Sequence, residues 1–445
     1  MTRFTKGERI MENDNVVVKI GKYRWFICAL LFFATTINYL DRQILSLCKE
    51  FLDKDMGWSN QFFGWINAAF QAAYGLGLLA FGVFVDKYGT KVGYTVSIIS
   101  WSLAAIAYWF VRAPLGFLGV RMWVGLGEAG NFPSAIKATA LWFPKCERAF
   151  STSIFNSGCN VAGIIAPAII PPIALAFNTW RAPYVAVGIA GFIWLIFWLI
   201  FYGLPQQNKR VNRAELNYIL SDHDDNTTQK KAPWLSLLKY RATWSFITAK
   251  FMTDPVWWFF LIWLPDYFKK TRGLDVKHSW VHLVTIYAII TVLSICGGWI
   301  TGHLIKKGWT VSRARKTGML GFALCVLPII MVTHVGDWTA VVMIGIAGAA
   351  HQAWSANLFT TVSDMFPKSD IASVIGIGGM AGSLGGMLFP PAAGALIDHF
   401  QAAGNVTGGY AILFGFCAFA YLVSFAIHHA LAPKFEPFAM KEQNA

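Results

Sequence analysis

Apolar runs long enough to cross a bilayer recur twelve times along this chain, at residues 23–48, 60–85, 92–111, 115–139, 147–172, 182–203, 243–269, 279–304, 315–333, 338–361, 371–397 and 408–431. A helix needs about 20 mostly apolar residues to cross the hydrocarbon core. The runs are continuous rather than alternating with a period of two, which excludes a membrane barrel. With 56% hydrophobic and 13% charged residues among 445, the composition also excludes an ordinary soluble domain. The expected fold is an all-α membrane protein with 12 transmembrane helices.

A net charge of +14 invites comparison with nucleic-acid binders, but the Lys and Arg residues are dispersed over the connections between spans. That distribution is the positive-inside pattern of a membrane protein, so lipid and not nucleic acid is the expected partner. The basic connections are the amino-terminal tail, the Asp86–Lys91 and Pro144–Arg148 turns, residues 204–242, the Lys306–Lys316 loop and the tail from Lys434 to Lys441. Twelve spans place all of them on one side, with both termini cytoplasmic. Lys269, Lys270, Arg272 and Lys277 run against the pattern, because they fall on the opposite side. Seven scattered cysteines show no metal-ligand spacing, so no metal or resident cofactor is expected. Residues 1–24 are polar and of mixed charge, unlike a signal peptide, so the first span itself is expected to direct insertion.

The one long polar interruption, 204–242, divides the runs six and six. The expected organisation is a cytoplasmic tail (1–22), a six-helix bundle (23–203), a cytoplasmic linker (204–242), a second six-helix bundle (243–432) and a cytoplasmic tail (433–445). An internal echo supports duplication. The turn Gly82-Val-Phe-Val-Asp86-Lys87-Tyr-Gly89-Thr-Lys91 recurs loosely as Gly298-Trp-Ile-Thr-Gly302-His-Leu-Ile-Lys306-Lys307-Gly308, without the acid. Asp86 is either a latch that holds one conformer shut by pairing with a helix end or a base, or a solvated turn residue.

Asn38-Tyr39-Leu40-Asp41-Arg42 sets an acid and a base inside the first apolar run. A charge at a helix centre in lipid costs about 2.5–3.5 kcal/mol on insertion scales, so such a pair is a functional candidate. Asn38 and Tyr39 share a helical face with Arg42, while Asp41 points about 100° away. Arg42 offers a planar fork suited to a carboxylate and holds its charge; Asp41 can take a proton. A structural ion pair within the span is the alternative.

In span four, Arg121 and Glu128 lie two turns apart, and Glu128 sits among Gly125, Gly127 and Gly130. A carboxyl withdrawn from water there suits proton loading and release; the alternative is permanent pairing with Arg121 or Lys137. Gln71 and Tyr74 in span two are one turn apart, and Asn156, Ser157, Cys159 and Asn160 form a polar patch in span five. Both sets fit either polyol binding or close helix packing. Span seven opens with Lys250-Phe-Met-Thr-Asp254-Pro255-Val-Trp257-Trp258, an i,i+4 pair followed by a proline that invites a kink. Span ten carries His351-Gln352-Ala-Trp354-Ser355-Ala-Asn357, donors and acceptors with an aromatic ring that suits a sugar face; His351 is either a ligand or only an interhelical hydrogen bond. The glycines from Gly376 to Gly386 mark span eleven as a packing and hinge helix rather than a chemical one.

These motifs resemble the anion:cation symporter family of the major facilitator superfamily over essentially the whole chain. The residues concerned are Asn38–Arg42, Gly82–Lys91, Arg121-x6-Glu128-Ala-x3-Pro133 and Trp142-Phe-Pro144-x2-Glu147-Arg148. Within the family, Lys250-Phe-x-x-Asp254-Pro255-x-Trp257, Ala350-His351-Gln352-Ala353 and Ser363-Asp364-x-Phe366 look most like bacterial hexuronate transporters. The resemblance implies two six-helix bundles that carry an acidic sugar with protons across the inner membrane; a monomer without catalytic activity is expected. Asp41 and Glu128 would be the proton sites, Arg42 the contact for the substrate carboxylate, and Tyr74 a polar ligand. Tyr39, Gln71, Asn156, Asp254, Trp257, His351, Gln352 and Trp354 complete the expected substrate site. Gly82, Asp86, Lys87, Gly89, Lys91 and Arg121 form the expected conformational motif. Galactonate-carrying relatives have Gln at Cys159 and Asn at Gly379, two departures that argue against a galactonate-like binding mode here. Carriers of aldonates, sialic acid or dicarboxylates are the nearest alternatives. A drug antiporter would more readily lack the acid–Arg pair, and an enzyme would want a catalytic cluster at one depth.

Overall fold

The computed structural model of the chain describes residues 9–10, 18–57, 60–221, 233–273 and 276–435. The polar stretch Asp222–Lys231, most of the amino-terminal tail and the tail beyond residue 435 lie outside the described residues.

The spans begin with α1 (Tyr23–Leu47), followed by the short α2 (Lys49–Met56), α3 (Asn60–Tyr88) and α4 (Thr90–Ala107). Span four is made of two pieces, α5 (Pro114–Glu128) and α6 (Asn131–Trp142). Next come α7 (Lys145–Ala176) and α8 (Arg181–Phe201), then the linker helix α9 (Arg213–Leu220). The second set is α10 (Arg241–Arg272), α11 (Val276–Lys306), α12 (Val311–Val326, extended by a 3-10 turn to His334), α13 (Asp337–Met365), α14 (Ile371–Ala402) and α15 (Val406–Leu431). A two-residue antiparallel ladder, β1 (Arg9–Ile10) with β2 (Val18–Lys19), precedes α1.

The twelve apolar runs thus become twelve spans. Nine helices among the described residues are long and apolar enough to cross a membrane by hydropathy alone. The three spans outside that set are instructive: span four is split at its buried Glu128, and α10 and α13 carry the polar runs around Asp254 and His351. Helix α10 continues through Pro255 as one helix from Arg241 to Arg272, so the interruption falls in span four instead. Where a span must turn sharply, local chemistry permits it. Gly89, at φ +86°, joins α3 to α4 in a backbone region where L side chains are strained.

Small residues set the distance between the first six spans and the last six. Across the α3–α14 contact, a Cβ on Gly376 would stand 2.3 Å from the Leu78 carbonyl oxygen, and one on Gly82 would stand 2.6 Å from that of Ala372. Helices α7 and α11 meet in the same way, Gly298 against the Ala149 carbonyl and Gly302 against that of Cys146. The glycine at position 302, where the first copy of the repeated turn has an acid, therefore serves backbone approach. Outward, Phe33, Phe110, Leu115, Leu175, Ile196 and Phe419 are exposed, as a lipid-facing surface requires.

The Gly376 contact is between backbones, which cannot yield as a side chain would. Gly376→Val should lower the thermal midpoint of the purified protein by several degrees, whereas Gly415→Ala, at a site open for a Cβ, should leave it within about one degree. Equal midpoints for Gly376→Val and the parent protein would refute tight α3–α14 packing.

Candidate functional site

Between the two sets of spans lies a cavity of about 690 Å³, part of it open to solvent. From the first six spans it is lined by Tyr39, Arg42, Gln71, Tyr74, Phe132 and Asn156. From the last six come Lys250, Asp254, Trp257, His351, Gln352 and Ser383, among others.

Arg42 is the positive pole of the first side. Its Nε donates to Glu128 Oε2 at 2.6 Å, and Glu128 is fully buried behind it. The guanidinium carbon lies 4.7 Å from the centre of the Tyr39 ring and 4.6 Å from that of Tyr74, so aromatic faces hold the cation where water cannot. Arg42 Nη2 has no hydrogen-bond partner among the described residues. A largely shielded guanidinium with an unused donor beside a cavity is prepared for an incoming acceptor. Arg121 takes a different place from Arg42: it lies over Phe70, 4.5 Å from the ring centre, and leaves Glu128 to Arg42. Asp41 is fully buried behind the cavity wall, within electrostatic reach of Glu128 and Arg121.

The opposite wall holds a second ion pair, Lys250 Nζ to Asp254 Oδ1 at 2.7 Å, with Nζ 4.5 Å from the centre of the Phe359 ring. Phe359 stacks on Phe132 from the first six spans at 5.6 Å. His351 lies flat against Trp257, with centroids 5.2 Å apart and planes 6° apart, and its Nδ1 meets the Tyr421 hydroxyl at 2.5 Å. Asn156 Nδ2 donates to Gln352 Oε1 at 2.5 Å, a hydrogen bond that joins α7 to α13 across the cavity. Trp354 is on another face of α13: it is completely buried and packs edge-on against Tyr421 and Phe425, away from the cavity lining. Helix α14 does more than pack, since Ile375, Gly379 and Ser383 line the cavity.

The connections at residues 89, 143–144, 202–221, 233–240, 307–310 and 366–370 lie at the end of the bundle from which α1 starts and at which α15 finishes; here that end is called the termini side. It is closed by bonds between the two sets of spans. Asp86 accepts from Lys137 at 2.6 Å and from the amides of Ala372 and Ser373 at 3.2 and 2.6 Å, at the first turn of α14. The carboxylate is therefore a buried helix-end ligand rather than a solvated turn residue. Gly82 gives α14 its close approach, Gly89 makes the turn, Lys87 lies over Tyr88, and the Lys91 carbonyl accepts from Trp198. Arg148 donates to the Ser363 carbonyl at 2.9 Å, and Arg315 to Asp364 at 3.1 Å and to the Lys145 carbonyl at 2.8 Å.

Glu147 joins three parts of the chain: it accepts from Arg24 at 2.9 Å, from Tyr218 of α9 at 2.9 Å and from Lys306 of α11 at 3.3 Å. Glu215, also on α9, accepts from the amides of Tyr23 and Arg24 and so caps α1. The sequence reading missed Lys250 as a wall residue, the Phe132–Phe359 stack and this linker network. The i,i+4 spacing of Lys250 and Asp254 was the available signal for the first; the other two join residues too far apart in sequence for any local pattern.

An internal cavity between two sets of six membrane-spanning helices, gated at one end, defines a membrane transporter. Residues 31–390 match the family model described as Major Facilitator Superfamily, and the chain belongs to that superfamily. It is 30% identical over 390 residues to a hexuronate transporter of Escherichia coli (strain K12), covering 85% of this chain and 89% of that one. It is also 29% identical over 422 residues to a probable galactarate/D-glucarate transporter, GudP, of Bacillus subtilis (strain 168), covering 91% of each. Among solved structures, the superfamily transporter FucP in its outward conformation aligns with a TM-score of 0.70 at 14% identity, covering 92% of this chain and 100% of that one, a likeness of fold.

Loss of Asp86 removes the acceptor that joins α14 to Lys137. In protein whose native cysteines are replaced, Asp86→Ala should raise the reaction rate of Ser373→Cys with a polar maleimide by about tenfold, equivalent to about 1.4 kcal/mol of lost closed-state preference. An unchanged rate would exclude Asp86 as a latch.

Proposed function

We propose that this transporter imports hexuronates, glucuronate or galacturonate, together with protons across the bacterial inner membrane by alternating access. The observation that carries the reading is Arg42, set at the cavity wall with a carboxylate already on it, Glu128 at 2.6 Å, and a donor to spare. A sugar carboxylate offers that guanidinium the same chemistry. If the substrate takes the place of Glu128, the displaced acid is left buried without a counter-ion, and taking a proton removes that penalty. Substrate anion and proton therefore enter together. Asp41, buried next to Glu128, serves as the second proton site. Tyr39, Tyr74, Gln71, Asn156, His351 and Gln352 supply hydroxyl, amide and imidazole partners for the sugar, with Trp257 as an apolar face. Both termini are cytoplasmic in this reading, so the end latched by Asp86 is the cytoplasmic gate, and the halves rock about the loaded site to open it.

The similarity to carriers named for hexuronates and for galactarate or D-glucarate supports an acidic sugar as the cargo. Another organic anion is the second reading, because a D-galactonate transporter of Escherichia coli O6:H1 is 25% identical over 398 residues.

Purified protein in vesicles should accumulate labelled glucuronate faster when an inward proton gradient is imposed. Uptake that is indifferent to collapse of the gradient would remove proton coupling. Glu128→Gln, which keeps shape and loses titration, should retain glucuronate exchange across the membrane but lose at least about 90% of gradient-driven accumulation, as loss of coupling without loss of binding requires. Accumulation at the parent level would take Glu128 out of the mechanism.

A further inference from the structure

The cavity holds two cations on opposite walls, and each is neutralised in the same manner. Arg42 of α1 has Glu128 at 2.6 Å and the rings of Tyr39 and Tyr74; Lys250 of α10 has Asp254 at 2.7 Å and the ring of Phe359. Both cations are largely shielded, their side chains 11% and 8% exposed. Lys250 and Asp254 both face the cavity. A lysine needed only to hold α10 together has no reason to stand there, since an i,i+4 pair on a helix surface stabilises by only about 0.2–0.5 kcal/mol. A buried ion pair also costs desolvation that apolar packing would avoid.

We propose that Lys250 and Asp254 form a second exchangeable couple, so that the cavity takes six-carbon sugar diacids, with one carboxylate on Arg42 and the other on Lys250. The inference rests on the reading of this cavity as a sugar-acid site with Arg42 as its carboxylate contact. Each internal carboxylate that the substrate displaces must take a proton or remain as an uncompensated buried charge. A uronate displaces Glu128 alone; a diacid displaces Glu128 and Asp254 and brings one more proton. The titratable groups that face the couple from neighbouring helices are His351 on α13, Tyr421 on α15 and Tyr74 on α3, none of which is a carboxylate. Helix α14 brings Ile375, Gly379 and Ser383 to the cavity, and Gly382 against Asp254 itself, where a Cβ would stand 2.0 Å from Oδ2. Asp254 is thus the one acid beside Lys250 in this wall among the described residues. Because Arg42 and Lys250 belong to opposite sets of spans, a diacid would tie the two together, which a uronate does only through hydroxyl groups.

The test uses the full chain in vesicles, with glucuronate and D-glucarate as probes and a trapped pH indicator to count protons. Glucarate should compete with glucuronate and carry one more proton per molecule. Lys250→Met should lower the ratio of glucarate to glucuronate uptake by at least tenfold, Lys250→Arg should restore most of that ratio, and Asp254→Asn should abolish the extra proton. A thermal melt separates these effects from misfolding, and if Lys250→Met does not fold, the proton count for Asp254→Asn decides. Glucuronate uptake without competition by glucarate would overturn the inference and leave the hexuronate reading standing. Equal loss of both substrates in Lys250→Met, or an unchanged proton count in Asp254→Asn, would also overturn it. Uptake of neither acid would overturn the hexuronate reading and this inference with it.

Discussion

The Arg42–Glu128 pair is the interaction on which the arrangement of the first six spans depends. Neither side chain is tolerable alone in a lipid-spanning bundle, and together they are held at 2.6 Å with three aromatic rings around the guanidinium. To bring them together, α1 must present Arg42 inward late in its length, and α5 must end at Glu128, where span four breaks before Asn131. The split of that span is thus associated with its charge: α5 and α6 are short pieces whose junction is buried in protein, where irregular backbone survives inside a membrane. Three further carboxylates follow the same rule. Asp86 has Lys137 and two helix amides, Glu147 has Arg24 and Lys306, and Asp364 has Arg315.

These pairs differ in what they join, and the difference divides the molecule into working parts. Arg42–Glu128 and Lys250–Asp254 lie within one set of spans each, with Arg42, Lys250 and Asp254 at the cavity wall and Glu128 buried behind Arg42. The termini-side pairs cross between the sets: Asp86 to the first turn of α14, Glu147 to Lys306, Arg315 to the Lys145 carbonyl. Separation of the sets at that end breaks the crossing bonds while Glu147 keeps Arg24 and Tyr218, and Asp86 keeps Lys137. Each carboxylate that would lose a partner retains another, so opening does not strand a charge. Glycines at positions 82, 298, 302 and 376 allow the sets to meet backbone to backbone, a contact with no interlocked side chains to disengage.

Much of this was legible in the linear chain. The twelve apolar runs coincide with the twelve spans to within a few residues at most ends, because bilayer thickness fixes span length and the hydrocarbon interior forbids unsatisfied backbone. The polar residues inside those runs marked the cavity for the same energetic reason: Arg42, Gln71, Tyr74, Asn156, Asp254, His351 and Gln352 all line it. Trp354 shows the limit of that inference. It sits among cavity residues in sequence, but the helical period turns it toward Tyr421 and Phe425. Glu128 and Arg121 share a face of span four, and sequence spacing makes them natural partners, yet Glu128 is taken by a residue 86 positions away.

By itself, then, the sequence determined the membrane-spanning architecture and the short list of polar residues that lipid would not tolerate unpartnered, since those follow from transfer energies that act on each residue in turn. Tertiary structure alone decided the partners. Which carboxylate neutralises Arg42, that Lys250 stands on the opposite wall of the same cavity, and that Asp86 caps α14 some 286 residues along the chain depend on how helices distant in sequence pack. Sequence spacing reports only side chains three or four residues apart on one helix, whereas these partners meet only where separate helices pack.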